Sequence, residues 1–193
     1  MKWIKKIIRN LLYKPYGIKF FGEGSTILFP RKLLNIKHIE IGNNVFIHKH
    51  ANLFPITSDH GNNFSPIVKI GHNVYIGQYF HMHAMSKVVI EDGCVISDNV
   101  YISGASHGFD PNGGHIMKQP LNFADVEIKM NTFIGRNVFI SQGVTLGMHC
   151  VVGANSVVTK SFPDYSMIAG SPAKLIKKYD VLNQAWIRVN EKN

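Results

Sequence analysis

Histidine can take and return a proton near neutrality, and this sequence holds ten of them. Five, His38, His48, His50, His72 and His149, fall at or near points where the chain turns, where a solvated polar residue needs no chemical role. His107 differs. It closes the regularly spaced segment Ile102-Ser103-Gly104-Ala105-Ser106-His107, and a long irregular stretch leaves directly after it. An imidazole on fixed backbone beside a loop can serve as a general base. His81 and His83 stand two apart on one strand face, either as ligands for a polar substrate or simply as two exposed polar residues. The two cysteines, Cys94 and Cys150, occupy slots filled elsewhere by Val and read as buried free thiols in a reducing cytoplasm.

The elements that must position these residues show in a repeat. An aliphatic residue recurs every six positions, in Ile41-Gly42-Asn43-Asn44-Val45-Phe46 and Ile70-Gly71-His72-Asn73-Val74-Tyr75, then at Ile90, Ile96 and Ile102. The longest series is Ile128, Ile134, Ile140, Leu146, Val152 and Val158. A period of six is neither helical nor simple strand alternation. It fits an all-β solenoid in which three short strands make one triangular coil and the aliphatic residue points to the axis. Gly and Asn are frequent at the intended corners because they tolerate positive φ.

Three segments break the repeat: polar residues 55–66, which include Ser58, Asp59, His60 and Gly61; the Gly/Pro-rich loop 108–125; and everything beyond Pro163. Ser171-Pro172-Ala173 has the form of an N-cap with Pro at the first helical position, so a short basic helix is expected in a tail of residues 171–193. At the other end, Trp3, Ile4, Ile7, Ile8, Leu11 and Leu12 form one helical stripe flanked by Lys2, Lys5, Lys6 and Arg9. Residues 1–14 are therefore expected as a basic amphipathic helix, packing on the solenoid of residues 15–170 or lying in an anionic membrane surface.

Lys plus Arg number 21 against 12 Asp plus Glu, a net charge of +9, which favours anionic partners such as a phosphate-bearing cofactor or lipid head groups. No nucleic-acid-binding signature accompanies the basic residues. No run approaches the ~20 apolar residues of a membrane span, and Lys5, Lys6 and Arg9 interrupt the stretch where a signal peptide would be apolar. A cytoplasmic protein is expected, with peripheral contact at the inner face of the membrane as an option.

On Ile102 to Gly108, His115-Ile116-Met117-Lys118-Gln119-Pro120-Leu121, Gly143-Val144-Thr145-Leu146-Gly147, Val152 to Lys160 and Ala169-Gly170-Ser171-Pro172-Ala173-Lys174, the chain resembles the hexapeptide-repeat acetyltransferases. The likeness covers roughly residues 36–178 and leans toward the O-acetyltransferases of bacterial surface polysaccharides. It implies a left-handed parallel β-helix, a homotrimer, and transfer of an acetyl group from acetyl-CoA to a sugar hydroxyl in O-antigen, capsule or exopolysaccharide synthesis. It also implies His107 as the catalytic base and His81 and His83 near the acceptor. Ala154, Thr159 and Lys160 would line the pantetheine arm, and Lys174 and Lys177 would lie near the nucleotide phosphate. Phe133 and Arg136 complete the cofactor set, standing where relatives often carry Trp and Ser. Lysines in place of the two tail arginines offer point charges without bidentate geometry. Asp110 and Glu127 are nearby in sequence as possible partners for His107, with nothing to choose between them.

Two rival activities use the same scaffold. One is N-acetylation of an amino nucleotide-sugar. The other is a zinc enzyme of the γ-carbonic-anhydrase type holding the metal through His81, His83 and His107. Thr159-Lys160 and the Ser171-Pro172-Ala173-Lys174 segment suit coenzyme A and have no role in metal hydration, so no bound metal is expected.

Overall fold

A computed structural model describes residues 17–189. The chain winds as a three-faced prism whose faces hold six, nine and six strands. Face A begins with Phe20–Phe21 and Ile39–Ile41, face B with Thr26–Ile27 and Phe46–Ile47, and face C with Lys32–Leu33 and Asn52–Pro55. Within the coils each strand pairs in parallel with its counterpart in the next, as in Leu53↔Met82↔Ile102↔Ile140↔Val158 on face C.

The six-residue period creates that register. Ile41, Ile70, Ile90, Ile128 and Leu146 from face A, Ile47, Ile76, Ile96, Ile134 and Val152 from face B, and the face C column all point inward and are buried. Each such side chain contributes about 1.5–3 kcal/mol relative to exposure. The Gly after the aliphatic residue is required by closeness: a Cβ on Gly42 would stand 2.4 Å from the carbonyl oxygen of Gly71.

Two of the three corners are built alike. At the A/B corner Asn44, Asn73 and Asn131 hold positive φ, and at the B/C corner Asn99, Asn137 and Asn155 do. Their side chains form ladders along the stack, Asn99 to Asn137 at 2.9 Å and Asn137 to Asn155 at 3.0 Å. Where the asparagines run out, rings take over: His50 stacks on Tyr79 at 4.9 Å and His149 on Tyr165 at 5.4 Å, all four at positive φ. His50 and His149 thus contribute to the stacking of their corners. Cys94 and Cys150 are buried and free, and burial pushes the Cys94 thiol up to about 11.

The C/A corner is different, because both long excursions leave from it. Residues 56–66 connect Asn52–Pro55 to Ile67–Ile70, and residues 104–125 connect Tyr101–Ser103 to Val126–Ile128. Two coils separate them, with one short turn of the same corner, residues 85–86, in between. The first folds a small hairpin, Ser58–Asp59 against Asn62–Asn63. The second opens by pairing Ala105–Ser106 antiparallel with Asn122–Phe123.

The C-terminal segment corrects the expected helix. Ser166–Gly170 extends face B, the chain turns through a cis Ser171–Pro172 peptide, and Ala173–Asp180 returns antiparallel beside it, followed by Ala185–Arg188. The open edge of face B presents a row of backbone donors and acceptors, and pairing satisfies them as an isolated short helix could not. Ala173 is buried and Lys174 exposed, with Leu175 packed on the core, an alternation of period two. The amphipathic helix expected for residues 1–14 lies outside the described residues. No helix among the described residues is long and apolar enough to cross a membrane.

Candidate functional site

His107 stands exposed on the C/A corner, one residue beyond the short antiparallel ladder that starts the second excursion. The two excursions close on each other beside it. Asp59, from the first, accepts a hydrogen bond from the Leu121 amide at 3.1 Å and pairs with His60 Nδ1 at 2.9 Å. His60 also donates to the Met117 backbone, and Phe64 meets Phe123 edge-on at 5.4 Å. The Leu121 amide and then His60 hold the Asp59 carboxyl below its ordinary value, and His107 adds to the effect through its charge. The Asp59 carboxylate raises His60 in turn.

Asp59 thus lies within electrostatic reach of His107. Asp110 instead folds its own loop, accepting from the Asn112 amide at 2.8 Å while its backbone is held by Gln119. Glu127 sits between Lys87 and Lys129 on the outside of face A, and both cations hold it below its ordinary value. Sequence reasoning noted Asp59 only as part of a polar loop. The signal was available: counting faces through the repeat puts both interruptions at the same corner, two coils apart.

His81 and His83 lie one coil before, half-buried on the outer side of face C. Their Nε2 atoms face each other at 3.0 Å, and Tyr101 Oη meets His83 Nδ1 at 2.9 Å. Phe54 stacks on His81, with Lys32 over the Phe54 ring. Burial lowers both histidines, with Arg31 adding to the effect on His81 and His81 to that on His83. Two facing Nε2 atoms share at most one proton comfortably, so the pair resists taking a second charge. Among the described residues no group of three or more His, Cys, Asp or Glu is placed to hold a metal ion, His81, His83 and His107 included.

The expected cofactor residues divide into two sets. Phe133 is outward on face B in the column Phe133↔Val151↔Met167↔Lys177. Arg136 and Ala154 follow at the B/C corner, where Arg136 is paired with Asp98 at 2.9 Å. Thr159 and Lys160 lie across face C, where the chain leaves Val157–Val158 toward the C/A corner, and Lys160 Nζ rests 5.7 Å from the Phe162 ring centroid. Two register steps separate the His107 coil from that of Lys160, roughly 10 Å along the axis. Lys174 is exposed, on the returning strand that also carries Lys177.

Comparison with known proteins gives this geometry a context. Residues 125–160 match the family described as bacterial transferase hexapeptide (six repeats). The Escherichia coli protein WbbJ, named for O-acetyl transfer in lipopolysaccharide biosynthesis, is 34% identical over 128 residues, 62% of this chain and 65% of its own. A Mycobacterium tuberculosis protein named as an acetyltransferase is 28% identical over 179 residues, 89% of this chain and 55% of its own. The chain thus spans 65% and 55% of the length of these two curated relatives. Among solved structures, a variant of AntD, an N-acyltransferase from Bacillus cereus in complex with dTDP-4-amino-4,6-dideoxyglucose and coenzyme A, superposes with a TM-score of 0.72 at 25% identity, covering 86% of each chain. The resemblance to hexapeptide-repeat acyltransferases holds in sequence and in fold.

Proposed function

We propose, for a chain whose residues 125–160 are bacterial transferase hexapeptide repeats, that it moves an acetyl group from acetyl-CoA to a sugar hydroxyl in the synthesis of a surface polysaccharide. The observation that carries the reading is the place of His107: exposed, on the corner where both excursions meet, in a coil two register steps before that of Lys160. In this reading His107 takes the proton from the acceptor hydroxyl as the oxygen attacks the thioester carbonyl. The tetrahedral intermediate then collapses, expelling the thiolate of coenzyme A, which receives the proton from the imidazolium. No acyl-enzyme is needed, so both substrates are bound together. Coenzyme A supplies the activated acyl group, with Thr159 and Lys160 toward the pantetheine arm and Lys174 and Lys177 toward its phosphates.

The division of the cofactor residues to either side of face C supports a second element of the proposal. One cofactor touches both sets most simply when two copies contribute one set each, as in a cyclic trimer of left-handed coils with sites between subunits. Exposed Tyr75, Val95 and Phe133 on face B offer apolar surface for such contact. The protein would then work in the cytoplasm, with residues 1–14 as an optional contact to the inner membrane face; liposome flotation of full-length and 15–193 forms tests that option.

Acceptor chemistry has a second reading. The similarity to an N-acyltransferase crystallised with an amino nucleotide-sugar favours an amine acceptor. Thiol release from acetyl-CoA, measured with methyl hexosides and with dTDP-linked amino sugars, separates the two. Release with hydroxyl acceptors alone supports O-acetylation, release with amino sugars alone supports N-acetylation, and none with either refutes acetyl transfer to sugars.

A further inference from the structure

A strand sets side chains two apart on the same side. On His81–Ala84 the inward pair is Met82 and Ala84, and the outward pair is two imidazoles, each half-buried. Their Nε2 atoms stand 3.0 Å apart with the ring planes nearly perpendicular, at 87°. The ring centroids are 4.7 Å apart, less than two rings meeting nose to nose at that nitrogen separation would show. The rings therefore lean, and the two nitrogens do not meet head-on.

Each ring is held from outside the pair. Phe54 lies near-parallel to His81 at 5.6 Å and edge-on to His83 at 5.3 Å, and Tyr101 lies against His81 at 4.9 Å from the following coil. Tyr101 Oη is 2.9 Å from His83 Nδ1. A histidine that binds an ion through Nε2 carries its proton on Nδ1 and donates it to a neighbouring oxygen, which fixes the tautomer and aims the lone pair. Tyr101 supplies that oxygen. Burial disfavours the charged form of both rings, and the neutral ring is the form that binds a metal ion.

Two nitrogens 3.0 Å apart, each roughly 2.0–2.1 Å from one ion, subtend about 95° at it. The tetrahedral angle of zinc would need them about 3.3 Å apart. An angle of about 90° is instead the one between adjacent ligands of a square-planar or tetragonal ion. We propose that His81 and His83 form a two-histidine site for a divalent ion of that geometry, Cu²⁺ ahead of Ni²⁺, with water or an anion in the remaining positions. The three-histidine zinc arrangement weighed from the sequence is a different site, because His107 takes no part in this one. The inference stands whether or not the protein transfers acetyl groups. Arg31 acts on His81 through its charge, and Lys32 Nζ lies 5.0 Å from the Phe54 ring centroid. Both cations oppose a bare divalent ion and favour one that brings an anionic ligand with it.

The test titrates the full-length protein with Cu²⁺ supplied as its glycine complex, read by calorimetry and by electron paramagnetic resonance. One ion per chain is expected, with a tetragonal spectrum split by two imidazole nitrogens. His81→Gln and His83→Gln should each weaken binding roughly 10-fold or more. His48→Gln, in the other pair of histidines two apart, should stay within twofold of wild type. The proposal is overturned by an absence of saturable binding, by His81→Gln and His83→Gln within threefold of wild type, or by a spectrum with one imidazole nitrogen or none. Should a glutamine variant at 81 or 83 fail to fold, the spectrum of His48→Gln decides: two imidazole nitrogens retained support the site, and fewer overturn it.

Discussion

The prism has three corners, and they are not built alike. At the A/B and B/C corners, asparagines at positive φ pass hydrogen bonds from coil to coil, or rings stack where asparagine is missing. Those corners satisfy themselves. Among the described residues the C/A corner carries no such asparagine ladder. It releases both excursions, exposes His107 and holds the unpaired buried atoms Ser86 Oγ and Gln142 Oε1. In a stack whose stability comes from neighbours above and below, freedom to do chemistry is concentrated where that repetition is interrupted.

The sharpest way to test the contrast is to remove one residue from each kind of corner. His107→Ala should reduce kcat by ~10²–10⁴ with acetyl-CoA binding and Tm retained, the range for loss of a general base. Activity within threefold of wild type would remove His107 from the mechanism. Asn137→Ala on the B/C corner should do the reverse. It loses ladder bonds to Asn99 and Asn155 and places Ala at φ 58°. A destabilisation of about 1–3 kcal/mol follows from these terms, with kcat of the folded protein unchanged; equal Tm values would show that the ladder contributes nothing.

The link between the excursions should respond to pH. His60 is raised by Asp59, so its contribution is complete below its ordinary 6.5 and is lost as pH rises through its higher folded value. Asp59 is lowered, so its contribution is complete above the ordinary carboxylate range and is lost as pH falls through its depressed value. Docking is therefore firmest between the two. Limited proteolysis within residues 108–125 should accelerate as pH rises past the His60 transition, and His60→Ala should remove that pH dependence while cleavage stays fast. The smallest effect is expected at Cys94→Val. The thiol fills an aliphatic slot and bonds the Lys129 carbonyl at 3.2 Å, so a stability change under about 1.5 kcal/mol is expected, with full activity.

Much of the coil was legible because six-residue spacing is a local property: Ile128 through Val158 place themselves on successive faces without reference to anything distant. The place of His107 at the end of a face was legible for the same reason. The Asp59–Leu121 contact joins residues 62 apart in sequence and depends on where two loops fold, which no spacing encodes. The C-terminal error has another cause. Ser171-Pro172-Ala173 carries a true helix-start signal, but the open edge of face B outweighed it. Local propensity yields wherever a sheet edge is waiting to be paired.

That edge has a consequence for assembly. A parallel stack is a template, and its last coil could seed a further copy of the same chain as readily as it was seeded by the coil before. The antiparallel strand Ala173–Asp180 reverses the chain direction on face B and ends in Ala185–Arg188, so the next layer there no longer matches an incoming coil. It works as a chain terminator in the polymer sense. A form ending at residue 170 should retain its coils yet lengthen end to end into fibres, with a lag that shortens as protein concentration rises, while the full-length chain remains a discrete particle at the same concentrations.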